Sequence, residues 1–359
     1  MNEKTTKLRE LFEDAVKKGF FNGTVLAAEK GEVIFEEAYG FADVKTGRKL
    51  TMDTVFEIAS VSKQFTASAI LLLCIRKIMS LEDKIEVFFP GFPYENISVH
   101  NLLNHTSGLP DYMEYIAKKY EGSIAGNKEV IEFLMDKAKP ADFAPNEKRE
   151  YSNTGYVLLA SIIEKVSGMP FGDFLKKEFF EPAGMKNSCT YHRRLNGHTI
   201  ENYAYGYIMD KGEYRLPDDT EEKCFVITLD GVRGDGNVNT TVRDLYIWDR
   251  TLREGNIIPH EWQKKAYTDD LDKREEDFNY GYGWRLANDP DLGFVVMHGC
   301  GWPGYGTTYR RYLDSDAMLA IFCNMTVYNE ERVALIEAAT SILAGREYKL
   351  VEKAVPVSE

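Results

Sequence analysis

Apolar residues recur at helical spacing near the start of the chain, at Leu8, Leu11, Phe12, Ala15 and Val16, which predicts an amphipathic helix. Two β-rich runs follow, GTVLAAEKG and EVIFEEAYGFAD. The Lys30-Gly31 junction between them predicts a hairpin, with a further short strand near Val55–Ile58. From Ser60 to about Met79 helix formers dominate and many are apolar (Phe65, Ala69, Ile70, Leu72, Leu73, Ile75), so this helix should be deeply buried.

The middle of the chain reads as helices and loops. Ser98–Leu103 predicts a short helix that stops before HTSGLP, and Asn127–Lys137 predicts another. Asn153 or Thr154 is expected to cap a helix running to about Val166 and ended by Gly168, after which Pro170 begins a short one. Gly231–Gly236 is turn-rich, and beyond it Thr240 or Thr241 can cap a helix to about Leu252, with Asp244 near its positive end. GYGWRL, GFVVMH, TTYRRYL and AMLAIFCN are β-rich runs with turn residues between them, and Glu330–Leu343 is a closing amphipathic helix. Strands and a helix at both termini imply one shared sheet. Residues 1–62 and 270–359 would build that layer, and a mostly helical part, 63–269, would be inserted in it.

Composition narrows the function classes. The 359 residues carry 57 Asp plus Glu against 44 Lys plus Arg, a formal charge of −13, which disfavours a polyphosphate partner such as nucleic acid. The five cysteines show no C-x-x-C and no ligand-like spacing to histidine, so neither a disulfide framework nor a zinc site is indicated and a reducing compartment fits best. The start of the chain lacks the apolar core of a signal peptide, and the longest apolar stretch, Ala67–Ile75, is too short for a membrane span. The expected location is therefore cytoplasmic.

Three polar clusters carry candidate chemistry. Ser60-Val61-Ser62-Lys63 puts a hydroxyl at a helix start and a lysine one turn later on the same face, and it is the only S-x-x-K in the chain. Helix N-terminal N–H groups favour developing negative charge, and an amine in apolar surroundings can accept a serine proton. By itself the tetrapeptide also fits a capped helix with a surface lysine. Tyr151 and Asn153 flank Ser152 just before a helix and point the same way if the segment is extended; Tyr94-Glu95-Asn96 has the same spacing in a loop. His298-Gly299-Cys300-Gly301 ends an apolar strand, and its glycines admit a substrate close to the backbone. There is no G-x-S-x-G, H-E-x-x-H or phosphate loop. Thr106-Ser107-Gly108 and His105 read as structural, Asp218–Glu222 and Glu275–Asp277 as solvated loops, and the four tryptophans as core or cleft wall.

In this order, SVSK, YSN and HGCG resemble the motif set of the serine β-lactamase and penicillin-binding protein superfamily, in its class C-related branch of β-lactamases, DD-peptidases, D-aminopeptidases and esterases. LLNHTSGLPDY (Leu102–Tyr112), YSNTGYVLLASIIEKVSG (Tyr151–Gly168) and DGVRGDGNVNTTVRDLYIWDRTL (Asp230–Leu252) look like further signatures of that family, over roughly residues 20 to 325. The resemblance implies an α+β fold, β-lactamase/transpeptidase-like, with an antiparallel sheet flanked by the terminal helices and a catalytic cleft against the inserted helical part.

The resemblance further implies Ser60 as acylated nucleophile, Lys63 as its proton acceptor or electrostatic partner, and Tyr151 as general base and acid. Asn153 would hold Lys63 and a substrate amide, the stretch His298, Gly299, Cys300 would hold substrate, and the N–H groups of Ser60 and Gly301 would form an oxyanion hole. No metal or organic cofactor is required. Two departures shape the expected specificity. His298 and Gly299 stand where β-lactam enzymes carry lysine and a hydroxyl residue, so the fixed charge for a substrate carboxylate is missing unless Arg310 or Arg311, both expected at the surface, supplies it. Cys300 replaces a glycine. The implied activity is a serine hydrolase of small esters, amides or peptides, with a DD-carboxypeptidase or β-lactamase as second reading and a non-catalytic binding or scaffold protein as third.

Overall fold

A computed structural model describes residues 3–137, 139–271, 279–326 and 329–350. Helix α1 (Glu3–Lys17) leads into the hairpin β1 (Gly23–Glu29) and β2 (Glu32–Tyr39), whose turn places Lys30 and Gly31 at positive φ. Late in the chain come β5 (Asn279–Tyr280), β6 (Arg285–Asp289), β7 (Gly293–Trp302), β8 (Tyr305–Tyr312) and β9 (Ala317–Cys323), then helix α7 (Asn329–Ala344). These strands make one antiparallel sheet in the order β5-β6-β7-β8-β9-β1-β2, so both ends of the chain build it.

Alternation along the strands sorts the two faces. Val25, Ala27, Leu319 and Ile321 pack outward against α1 and α7, while Leu26, Ala28, Met318, Ala320 and Phe322 pack inward. β9, covered on both sides, is buried from end to end. The inner face meets the helical part, including α2 (Lys63–Ile75), α3 (Val99–Leu103), α4 (Asn127–Met135), α5 (Asn153–Ser167) and α6 (Val242–Glu254), in one continuous core. Within the stretch read as an insertion, α6 itself lies on the sheet: Tyr309 donates its hydroxyl to Leu245 O at 3.1 Å and Arg311 reaches Asp249 at 2.6 Å.

Helix ends show where local signals were overridden. α2 stops at Ile75 and not near Met79, because Lys77 takes φ 57° and Ile78 N–H closes back on Leu73 O at 3.0 Å, a left-handed termination without glycine. α6 is capped as expected, with Thr241 Oγ1 accepting from Asp244 N–H at 3.0 Å. α5 is capped by neither Asn153 nor Thr154; Ser152 precedes it, and the Asn153 N–H donates to Asp111 Oδ2 at 3.1 Å from another loop. That leaves the Asn153 carboxamide available elsewhere. Among the described residues no helix is long and apolar enough to cross a membrane, and Cys74, Cys189, Cys300 and Cys323 are free thiols.

Candidate active site

Ser60 lies in a 3-10 turn, Ala59–Ser62, that runs straight into α2. The turn is fixed from two sides. Thr307 Oγ1 on β8 donates to Ile58 O at 3.1 Å, and Ser62 Oγ accepts from Val238 N–H at 3.0 Å on β4 (Val238–Thr240), which also pairs with β3 (Phe56–Glu57). Ala59 holds φ 40°, a left-handed conformation costly for a residue with a side chain, in the position just before the candidate nucleophile.

Lys63 is fully buried, and its Nζ touches three oxygens: Ser60 Oγ at 3.2 Å, Asn153 Oδ1 at 2.8 Å and Asp235 O at 2.7 Å. The two carbonyl oxygens can only accept, so they take two N–H groups. The serine hydroxyl can donate or accept. The same heavy-atom arrangement therefore suits Lys63 before and after it takes a proton along the Ser60 line. Asp235 was invisible as a site residue within its turn-rich passage. It is presented because Gly234 before it sits at φ 105° with a would-be Cβ 2.3 Å from Tyr156 O, where no other residue fits. Burial raises the Asp235 carboxyl above its usual range, and Tyr112 donates a hydrogen bond to it at 2.8 Å.

Tyr151 stands on the other side of Lys63, whose Nζ is 5.0 Å from its ring centroid. The phenol oxygen is buried and has no hydrogen-bond partner among the described residues. His105 holds this segment. Its carbonyl accepts from Glu150 N–H at 3.0 Å, its Nδ1 accepts from Ser152 N–H at 3.2 Å, and its ring lies 4.5 Å from that of Tyr151. The proton of His105 is thereby assigned to Nε2. Tyr94 is buried far from this cluster in bonding terms, donating to Lys139 O at 2.7 Å, so only the second of the two Tyr-x-Asn segments reaches Lys63.

A cavity of about 120 Å³ opens above Ser60, lined among others by Asn153, Asp235, Gly301 and Trp302. β6 pairs with β7 only as far as Met297, so among the described residues the β7 edge from His298 to Trp302 has no strand on that side. Gly301 is exposed there and offers its backbone to the cavity.

Three expected substrate-binding residues do not line this cavity. His298 is 2 % exposed behind Tyr151, its Nε2 facing the Tyr280 hydroxyl at 3.0 Å and its Nδ1 facing Gly299 O at 2.8 Å. Gly299 is exposed on the strand, and the Cys300 side chain is buried in the inner core, where burial pushes the thiol up. Neither arginine supplies the missing charge. Arg310 reaches Thr340 of α7 at 3.1 Å, and Arg311, expected at the surface, is 1 % exposed because Asp249 on α6 pairs with it at 2.6 Å. Asp218, expected in a solvated loop, accepts paired N–H groups from both Arg193 and Arg194, while Glu275–Asp277 lie outside the described residues. Among the described residues no group of three or more His, Cys, Asp or Glu could hold a metal ion.

Burial and the nearby Lys63 push the His298 imidazole down from 6.5 to about 3, and burial holds His105 well below its usual value. The unfolded chain binds protons at these sites below pH 6.5 and the folded protein does not. Stability is therefore expected to fall as pH drops from 6.5 toward 3, by about 1.4 kcal/mol per pH unit for each such group. Thermal melts between pH 7 and 4 should show this, with a shallower slope in His298→Gln; an unchanged slope would remove His298 from the acid response.

The Beta-lactamase family model matches residues 8–344. The chain is 42% identical to penicillin-binding protein 4* of Bacillus subtilis over 353 residues, covering 98% of this chain and 78% of that one. It is 29% identical to a D-aminopeptidase of Brucella anthropi over 233 residues, 64% of this chain but only 42% of the longer relative. Among solved structures, the octameric penicillin-binding protein homologue from Pyrococcus abyssi superposes with a TM-score of 0.81 at 28% identity, covering 96% of this chain and 78% of that one. The serine–lysine turn against an antiparallel sheet, and matches spanning nearly the whole chain, agree: the protein belongs to the Beta-lactamase family.

Proposed function

We propose that the protein is a serine hydrolase that forms an acyl-enzyme at Ser60 on small amide or ester substrates, of the kind found in D-amino-acid amides and short peptides. The observation that carries this reading is the Lys63 Nζ placed 3.2 Å from Ser60 Oγ with its other two N–H groups held by Asn153 and Asp235. In the first step the Ser60 proton passes to Lys63 or Tyr151 and Oγ bonds to the substrate carbonyl carbon. The developing oxyanion is received by the N–H groups of Ser60 and Gly301, each donor worth about 3 kcal/mol in comparable hydrolases. The bond to the leaving nitrogen or oxygen then breaks as Tyr151 returns the proton. In the second step water attacks the acyl carbon, the bond to Ser60 Oγ breaks, and the water proton passes by way of Tyr151 to Ser60 Oγ, which restores the free serine.

A penicillin-binding DD-carboxypeptidase or β-lactamase is the second reading, favoured by the 42% identity to penicillin-binding protein 4*. We place the protein in the cytoplasm, where buried thiols such as Cys74 and Cys323 stay reduced. Intact-protein mass after exposure to p-nitrophenyl acetate, and separately to benzylpenicillin, tests both readings beside Ser60→Ala. A Ser60-dependent acetyl adduct supports the hydrolase, and a stable penicilloyl adduct supports the second reading. Ester turnover that survives in Ser60→Ala would remove Ser60 as the nucleophile, and neither adduct nor turnover with either compound would leave a binding or scaffold role.

A further inference from the structure

We infer that Glu57 and Tyr191 make the cavity beside Ser60 a seat for a cationic nitrogen, the protonated amino group on the acyl side of the substrate. The inference rests on reading Ser60 as the acylated nucleophile, and it adds the substrate charge and the residues that select it.

The cavity wall carries the carboxyls of Glu57, Asp230 and Asp235 and, among the described residues, no lysine or arginine. Two of those carboxyls are already engaged. Asp235 accepts from Tyr112, and Asp230 accepts from Arg194 Nη1 at 3.1 Å and from the N–H groups of Arg194 and Leu195. Arg194 and Arg193 are the cations whose charge acts on Glu57, yet both guanidiniums are paired with Asp218, so two positive charges face the three carboxyls of Glu57, Asp218 and Asp230. One negative charge is left over, and among the described residues no hydrogen bond or ion pair reaches the carboxyl of Glu57, a residue that lines the cavity at the end of β3.

A second lining residue points to the same ligand. Tyr191 is 8 % exposed and lines the cavity, and its buried hydroxyl has no partner among the described residues. With Trp302 and Tyr112 it gives the cavity aromatic walls, which attract cations and not anions. His192 adds no positive charge. Its Nε2 accepts from Arg233 at 3.2 Å and Asn237 at 3.1 Å, its Nδ1 donates to Asp230 O, and burial lowers its affinity for a proton. A substrate carboxylate entering here would meet unpaired negative charge, whereas an ammonium would find a carboxyl and a phenol oxygen with hydrogen bonds to accept.

Burial raises the Glu57 carboxyl to about 7, with Asp230 and Asp218 adding to the rise and Arg194 and Arg193 opposing it. Cation binding should therefore strengthen between pH 6 and pH 8 as Glu57 ionises.

Calorimetric titration with D-alaninol, a primary ammonium at pH 7, against its uncharged counterpart propane-1,2-diol tests this without requiring turnover. The ammonium compound should bind wild type and Ser60→Ala alike and at least tenfold more tightly than the diol. Glu57→Gln should weaken it by about tenfold to a hundredfold, as expected for loss of a charge-assisted hydrogen bond. Glu57→Gln removes a buried ionisable group without changing its volume, so its melting temperature at pH 8 should not fall below that of wild type. The ratio of kcat/KM for D-alanine amide over N-acetyl-D-alanine amide should drop tenfold or more in the same variant. Equal binding of the two compounds, or D-alaninol affinity unchanged by Glu57→Gln, would overturn the inference. Failure of the Ser60 reading would show itself separately, as absence of Ser60-dependent turnover alongside intact ammonium binding.

Discussion

Tyr151→Phe is expected to lower kcat/KM on ester and amide substrates by about 10²–10⁴-fold, the range for loss of a positioned acid–base group, while leaving the fold intact. The two halves of that expectation come from different atoms. The ring packs at 4.5 Å from His105 and 6.1 Å from Tyr280, and phenylalanine keeps those contacts. The hydroxyl has no partner among the described residues, so deleting it strands no donor or acceptor there. The melting temperature should then match wild type or exceed it slightly. Steady-state kinetics with p-nitrophenyl acetate and a thermal melt on the same preparation check both halves. Wild-type rates would assign proton transfer to Lys63 alone, and a large fall in melting temperature would mean that the hydroxyl has a structural partner.

Asp249→Ala should destabilise the protein by about 3–5 kcal/mol, the usual result of stripping one member from a buried ion pair. Its carboxylate is fully buried and faces three guanidiniums, Arg311 at 2.6 Å, Arg253 at 3.5 Å and Arg250, with Arg311 itself 1 % exposed. Arg250 and Arg253 retain Asp316, so the uncompensated charge falls on Arg311, which keeps the Tyr267 hydroxyl at 2.7 Å and the Trp284 ring, both without charge. Guanidinium chloride unfolding measures the loss. Asp249→Leu combined with Arg311→Met should lose less than Asp249→Ala alone, because the charge and its counter-charge leave together. A double variant as unstable as the single would mean that packing, and not the buried charge, sets the cost.

How much was legible followed the range of the interactions. Continuous β-rich apolar runs such as Val25–Ala28 and Met318–Phe322, with a helix beside them at each end of the chain, were enough to anticipate one sheet made by both termini. Ser60 and Lys63 are one helical turn apart, so their meeting was a local matter. Asn153 was placed correctly against Lys63 only through the motif resemblance; its local pattern pointed to capping, a task that Asp111 performs from outside. Asp235, Glu57 and His105 were not legible as site residues, because each acts through contacts set by loops distant in sequence: Gly234 against Tyr156, β3 against β4, and the His105 ring against Ser152. Arg311 on a β-rich run gave no sign of burial, since its counter-charge lies 62 positions earlier on α6.

The pairing of β1 with β9 bears on how the enzyme comes into being. The strand at Gly23–Glu29 pairs early with β2 but finds its second neighbour only when Ala317–Cys323 has left the ribosome, and the Thr307 bond that steadies the turn before Ser60 comes from the same late stretch. Closing so long a loop adds little to the equilibrium cost but delays the contacts that reward it. The helix entered through Ser60 is thus synthesised early, and on the proposed mechanism it stays chemically silent until the chain is nearly finished. A product terminated after Tyr151 but before the last strand would carry Ser60, Lys63 and Tyr151 yet is expected to have no hydrolase activity, and its unpaired β1 edge would be open to a neighbouring chain.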